Sequence, residues 1–344
     1  MEEYFSALIK EIRIKGREMG GSVDHIYVGG GTPSLAYPYF AALRTEIDRV
    51  FEVSPCAEIS MECNPESVTT DFIDAAKAFG VNRVSLGVQS LSDRLLRSIG
   101  RAHDRRCALE ALDALTKSFP SVNVDVMVGL PDQKKDDLED TIDLLLAYPL
   151  DHLSCYSLIL EEGTPLCAAA KRGEFHPDED LAVDLYDFAR QKLSENGFKR
   201  YEISNFCKGD AACGYNLSVW QYGEYLGFGL GAASFLRHGV DEFALRLRNS
   251  DDLSLYLATS GRRGGMREEI SAQEGECEFI MLGLRLEEGL NRAVFRDIFG
   301  YDFMEKYRER VKKLEKMLLI TPDHVSIAPE YFYISNSIIG EMIY

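Results

Sequence analysis

No stretch of this sequence stays apolar for the roughly 20 residues that a bilayer crossing needs. The most apolar segment, 225–236, is interrupted by glycines. The opening Met1-Glu2-Glu3 is acidic and runs straight into a helical pattern, so no secretory leader is expected. Positive charge is scarce, with 38 Lys and Arg against 56 Asp and Glu. The net charge of −18 argues against binding to nucleic acid or an anionic membrane surface. Cysteine spacing gives no metal site: the closest of the 8 Cys are Cys56/Cys63 and Cys207/Cys213, with no C-x-x-C. They read as thiols of a reducing cytoplasm rather than a disulfide framework. The six His, at 25, 103, 152, 176, 238 and 324, form no i, i+4 pair. A Gly-x-Ser-x-Gly elbow, a Gly-Lys-Ser/Thr phosphate loop and a G-x-G-x-x-G fingerprint are all missing. These absences leave a cytoplasmic protein with a small-molecule or protein partner.

With 344 residues, 46% apolar and 27% charged, the chain makes one large domain or two with ample core. Its first half alternates strands and helices. Strands are expected over 25–28, 57–63, 82–88, 121–128 and 152–158. Helices are expected over 39–51, 71–79, 93–117 with a break near Gly100, 136–147 and 179–196. This order argues for a parallel sheet, doubly wound or barrel. The stretch 201–248 is Gly- and aromatic-rich and reads as strand or loop. From 271 the grammar changes to helices over 271–284 and 302–319, a hairpin over 324–334 and a helix over 335–342. A domain of 1–265 followed by a smaller one of 266–344 is expected, linked by the Gly/Arg-rich 261–266. Residues 2–14 look helical, with Tyr4, Phe5, Leu8, Ile9 and Ile12 on one face. A β-α fold normally opens with a strand, so either an N-terminal helix precedes the sheet or a first strand is missing before Met1.

Side-chain parity sorts each strand into two faces. In 121–128, Val122, Val124, Val126 and Val128 oppose Asn123, Asp125 and Met127. In 82–89, Val84, Leu86 and Val88 oppose Arg83, Ser85, Gly87 and Gln89. In 57–63, Ile59, Met61 and Cys63 oppose Glu58, Ser60 and Glu62, and in 152–158 Leu153 and Cys155 oppose Ser154 and Tyr156. Such alternation usually marks an antiparallel sheet with one wet face, but intervening helices argue for parallel strands covered on both sides. A barrel with a polar lumen satisfies both facts and is favoured over a doubly wound sheet. Ligands of such sheets bind at the C-terminal strand ends, where Gly29-Gly30-Gly31, Glu62, Gln89 and Asp125 fall. The triglycine lets a bound group approach backbone N–H donors, although a lone triglycine is a turn in most proteins. Glu62 has two readings, an acceptor for ribose hydroxyls or a lumen carboxylate paired with Arg83. Asp125 has the same two.

An ordered set of motifs carries a resemblance. It comprises 26–34 (Ile-Tyr-Val-Gly-Gly-Gly-Thr-Pro-Ser), 62–65 (Glu-Cys-Asn-Pro), 82–90 (Asn-Arg-Val-Ser-Leu-Gly-Val-Gln-Ser) and 100–103 (Gly-Arg-Ala-His). It continues with 125–131 (Asp-Val-Met-Val-Gly-Leu-Pro), 162–165 (Glu-Gly-Thr-Pro) and 201–206 (Tyr-Glu-Ile-Ser-Asn-Phe). The chain thus resembles, over nearly its whole length, the HemW haem chaperones. These are radical S-adenosyl-L-methionine (SAM) proteins related to oxygen-independent coproporphyrinogen III oxidase (HemN). The resemblance implies an α/β fold, a partial (β/α)6 barrel followed by a small winged-helix-like α+β domain. It implies SAM at Gly30 and Glu62, with Gly31, Thr32, Gln89, Arg101 and Asp125 matching positions that hold SAM or a second copy. It also implies a [4Fe–4S] cluster, bound haem and delivery of haem to a client protein.

Two departures bear on function. The family's C-x-x-x-C-x-x-C cluster motif, on the loop after the first strand, is not in this sequence, as if the chain began at an internal Met. Without it the chain is expected to be inert in radical chemistry. The family's His-Asn-x-x-Tyr-Trp reads Tyr215-Asn216-Leu217-Ser218-Val219-Trp220, and Gly-x-Gly-Ala-His-Ser reads Gly229-Leu230-Gly231-Ala232-Ala233-Ser234. Tyr215 replaces the His thought to serve haem, although tyrosine ligates haem iron in some proteins. The expected function is a HemW-like haem chaperone. The alternatives are a radical SAM enzyme acting on a porphyrinogen and a degenerate, cluster-free ligand-binding relative.

Overall fold

The structure, a computed structural model, describes residues 1–237 and 243–344. His238 and the 238–242 part of the aromatic-rich stretch lie outside the described residues. In chain order the first elements are α1 (Glu2–Met19), β1 (Ser22–Val28), α2 (Phe40–Val50), β2 (Glu52–Cys63), α3 (Thr70–Phe79) and β3 (Arg83–Gln89). There follow α4 (Asp93–Ser98), α5 (Arg105–Ser118), β4 (Ser121–Val128), α6 (Lys135–Leu146) and β5 (His152–Ser157). Next come α7 (Pro165–Lys171), α8 (Glu179–Glu195), β6 (Lys199–Arg200) and β7 (Asn205–Cys207). The helices start where the sequence supplies caps: the side chains of Thr69, Asp104 and Asp178 accept from the N–H of Phe72, Cys107 and Leu181. The expected long helix over 93–117 is interrupted at Gly100, whose φ of +71° turns the chain between α4 and α5.

Two compact units share the chain. One comprises His25–Phe40 and Glu58–Ala212, the other Met1–Asp24, Ala41–Ala57 and Cys213–Tyr344. The first holds most of a seven-stranded sheet of order β1-β2-β3-β4-β5-β7-β6. Strands β2 to β5 pair in parallel, and β7 returns antiparallel to β5. The parity argument holds: Val84, Leu86, Val88, Val122, Val124, Val126, Val128, Leu153 and Cys155 are all buried. Helix α5 packs on β3 and β4, and α8 on β4 and β5. The opposite parity carries Glu62, Ser85, Gln89, Asn123, Asp125, Ser154 and Tyr156. The sheet is therefore a parallel, polar-lumened half barrel.

In the second unit α1 is longer than the sequence pattern suggested, and Glu11 is among its most buried residues. That unit continues with α9 (Gly214–Trp220), β8 (Ala233–Arg237), β9 (Ala244–Arg248), α10 (Leu253–Thr259), β10 (Met266–Ile270) and α11 (Ala272–Gly283). The last elements are β11 (Leu290–Asn291), α12 (Arg292–Phe299), α13 (Phe303–Lys313), β12 (Leu318–Ile320), β13 (His324–Ile327) and α14 (Ser335–Ile343). Two antiparallel sheets form, β10-β9-β8 and β11-β13-β12. The hairpin expected over 324–334 sits earlier, because Leu318 to Ile320 pair with Val325 to Ile327 and Pro329 opens a 3-10 segment. The helix expected to run to 319 accordingly stops at Lys313. Helix α9 falls in the stretch read as strand or loop. The expected boundary at 265/266 falls inside this unit, immediately before β10, which pairs with β9.

Candidate functional site

The first unit gathers a polar site on the lumen face. After β1 the chain turns through Gly29-Gly30-Gly31, with Gly30 at φ +124°, a conformation that L side chains rarely adopt. That turn lets the Gly30 N–H donate to Glu62 Oε2 at 3.1 Å, while the Tyr27 hydroxyl donates to Glu62 Oε1 at 2.7 Å. Glu62 is thus held by β1 and its turn, and the ion pair with Arg83 weighed from the sequence does not form. Arg83 instead donates to Ser121 Oγ at 2.9 Å and the Ala211 carbonyl at 2.8 Å, with Glu58 at 3.9 Å.

Asp125 lies one strand further, on β4. It accepts from Asn123 Nδ2 at 2.7 Å and from Ser85 Oγ at 3.2 Å. Burial pushes its carboxyl up to about 6, against the donors Ser154, Asn123 and Ser85, and the negative charge of Glu62 adds to the rise. Gln89 ends β3 at φ +65°, a left-handed conformation uncommon without glycine. Its Oε1 accepts from the Tyr156 hydroxyl at 3.0 Å. Burial pushes the Tyr156 phenol up, so it stays neutral and donates. A Cβ on Gly87 would lie 3.0 Å from Gln89 Nε2, 3.2 Å from Arg101 Nη2 and 3.2 Å from Asn64 Oδ1, so those three groups converge over this glycine. Asn64 Nδ2 donates to Thr32 Oγ1 at 3.2 Å, and Thr32 Oγ1 donates to the Gly31 carbonyl at 2.7 Å. His103, of the 100–103 motif, pins β3 through Nε2 to the Val88 carbonyl at 3.1 Å.

Gly30, Gly31, Thr32, Glu62, Gln89, Arg101 and Asp125 therefore all belong to one unit and one end of its sheet. Tyr215, on α9, belongs to the other unit. Sequence reasoning missed Tyr27 and Tyr156 as members of the site. The signal for Tyr156 was present, since it lies on the polar parity of β5.

Eight free cysteines are present, and Cys63, Cys155, Cys167, Cys207 and Cys213 are buried. Burial pushes the Cys155 thiol up to about 12, the opposite of what a cluster ligand needs. Among the described residues no three Cys, His, Asp or Glu side chains gather as a metal site. The described residues thus do not fit a [4Fe–4S] cluster, whereas the lumen's donors and carboxylates fit SAM, with its cationic sulfonium, amino group and ribose hydroxyls.

The parallel half barrel, with glycines after β1 and carboxylates at its strand ends, defines a radical-SAM-type protein. Residues 4–145 match the radical SAM superfamily domain, and residues 271–329 match the HemN C-terminal domain. A haem chaperone HemW of Mycobacterium tuberculosis is 34% identical over 298 residues, covering 85% of this chain and 75% of that protein. HemW of Lactococcus lactis is 29% identical over 349 residues, covering 100% of this chain and 90% of its own length. The mitochondrial radical S-adenosyl methionine domain-containing protein 1 of Mus musculus is 40% identical over 315 residues, 86% of this chain and 71% of that protein. Among solved structures, the radical SAM coproporphyrinogen III oxidase HemN of Escherichia coli superposes with a TM-score of 0.82. That alignment has 19% identity and covers 99% of this chain and 82% of that one, a likeness of fold. The chain belongs to the HemW-type branch of the radical SAM family.

Proposed function

We propose that this protein binds SAM in the lumen of its half barrel and acts as a haem chaperone, passing haem to a client protein. The observation that carries the SAM reading is the pair of half-buried carboxylates, Glu62 and Asp125, on one polar face beside the Gly30 turn. Glu62, held by Tyr27 and the Gly30 N–H, offers fixed acceptor oxygens for hydroxyl or amino donors. Asp125, Gln89, Arg101 and the 31–32 backbone supply the remaining contacts. Bound SAM would supply a sulfonium cation, which the negative lumen favours. Among the described residues no cluster site forms. The haem reading rests on the HemW relatives, with Tyr215, whose phenol can ligate iron, as the candidate ligand in place of the family's His. A cluster-free ligand-binding role is the second reading, favoured by Tyr215 and Ala233 standing where the family pattern has His. The division into 1–265 and 266–344 is proposed as one of sequence modules, supported by the HemN C-terminal match from residue 271, while β9 and β10 on either side of it still pair within one compact unit. A cytoplasmic setting is proposed as well. Eight free thiols support it, and no helix among the described residues is long and apolar enough to cross a membrane.

The test is equilibrium dialysis with radiolabelled SAM. Wild type should bind, and Glu62→Gln should weaken binding by about tenfold, since a charge-assisted acceptor is lost. Equal affinities would contradict the reading. Haem titration followed in the Soret band tests the second half: Tyr215→Phe should lose the tyrosinate-type spectrum, and an unchanged spectrum would remove Tyr215 as the ligand.

A further inference from the structure

Beneath Asp125 lies a buried hydrogen-bond chain that the SAM reading does not use. His152 opens β5, fully within the unit, and its ring touches two partners. Nδ1 lies 2.6 Å from Asn123 Oδ1, and Nε2 lies 2.9 Å from the Tyr201 hydroxyl. The Asn123 amide nitrogen has three acceptors within reach: Asp125 Oδ1 at 2.7 Å, Ser85 Oγ at 2.7 Å and Ser154 Oγ at 3.0 Å. That surrounding fixes the amide, because a flip would aim its oxygen at the Asp125 carboxylate. Asn123 Oδ1 can only accept, so His152 Nδ1 must carry a proton. Burial, with the Arg83 charge nearby, holds the imidazole neutral at ordinary pH, so Nε2 is bare and accepts from the Tyr201 hydroxyl. Every donor from Tyr201 through His152 and Asn123 then points one way, towards Asp125.

We propose that His152 is a positioning residue: its Nδ1–H locks the Asn123 amide, and the locked amide holds Asp125 in its ligand-accepting orientation. The inference rests on the SAM reading for its ligand, but the hydrogen-bond chain exists without one. The other polar and charged groups facing the chain are Arg83 from β3, Asn205 of β7, whose Oδ1 accepts from Ser154 Oγ at 2.6 Å, Cys207 of β7 in register with His152, and Glu62 of β2 near Asp125.

Two substitutions separate this role from simple space filling. In His152→Asn the amide nitrogen stands where Nδ1 stood and keeps the donor to Asn123. In His152→Gln it reaches towards Tyr201, and the donor to Asn123 is lost. The first readout is the carboxyl titration of Asp125 followed by carbon-13 NMR without ligand. His152→Gln should raise the midpoint by about half to one pH unit, because a bond favouring the charged form is weakened, while His152→Asn should stay near wild type. Tyr201→Phe should raise it in the same direction by a smaller amount and serves if His152→Gln fails to fold. The second readout is SAM affinity at pH 7, expected to fall about three- to tenfold in His152→Gln and less than about twofold in His152→Asn. Equal midpoints for the Asn and Gln variants overturn the positioning role, even if SAM binds the wild type. A clear contrast in midpoints with no SAM binding by wild type upholds the role and rejects the SAM reading.

Discussion

Asp125 shows how much of a site depends on one residue's surroundings. Its carboxyl titrates near 6 in the folded protein against about 3.8 when unfolded, because burial outweighs three hydrogen-bond donors. A raised folded value means that Asp125 favours the folded state fully below its unfolded value, and that this contribution fades as pH rises through about 6. Asp125→Asn should therefore flatten the pH dependence of stability. Between pH 4 and pH 7 the wild type should lose on the order of 2 kcal/mol relative to the variant, measured by urea unfolding. A difference between the two that does not change with pH would show that Asp125 is solvated. The sequence made this residue legible through strand parity and the resemblance. It could not show the Tyr27–Glu62 and Tyr156–Gln89 bonds, because these join residues on different strands and depend on register. The pairing of Glu62 with Arg83 was plausible by charge alone. Arg83 stands at the opposite end of its strand from Gln89 and is used by Ser121, Ala211 and Glu58.

Elements make two further outcomes specific. The Gly87 position on β3 has no room for a methyl without pressing on Gln89, Arg101 and Asn64. Gly87→Ala should cut SAM affinity by about tenfold while changing the unfolding free energy by less than about 1 kcal/mol, since the neighbours are side-chain ends. Loss of stability without loss of affinity would contradict the assignment of that lumen wall. On α1 the sequence promised an apolar stripe, and the structure adds a buried carboxylate. Glu11 accepts from the Gly229 N–H at 2.9 Å, Asn249 Nδ2 at 2.7 Å and the Tyr256 hydroxyl at 2.8 Å, with Lys15 Nζ at 2.5 Å. The Gly-x-Gly motif at 229–231 thus serves the docking of α1. Glu11→Ala leaves those donors and Lys15 without their acceptor and should cost about 3 kcal/mol in chemical unfolding, and a change below about 1 kcal/mol would refute the hub. Helical periodicity revealed the face of α1, but no local pattern announces an acid whose four partners lie up to 245 residues away.

At the scale of the whole chain, the β-α alternation and the parity of β2 to β5 were readable from sequence because each follows from local spacing. The two compact units were not, because one of them joins the first 24 residues to 41–57 and 213–344 through long-range contacts. Strand β10 lies beyond residue 265 yet pairs with β9, so a chain truncated after 265 should lose cooperative thermal unfolding of that unit. Retention of a sharp transition would favour the simpler two-segment division. The most direct measurement for the lumen as the SAM site is hydrogen–deuterium exchange with and without SAM. Protection is expected in peptides covering 27–34, 60–66 and 85–91, where the Gly30 turn, Glu62 and Gln89 lie. Protection confined to residues 266–344, or none at saturating SAM, would contradict it.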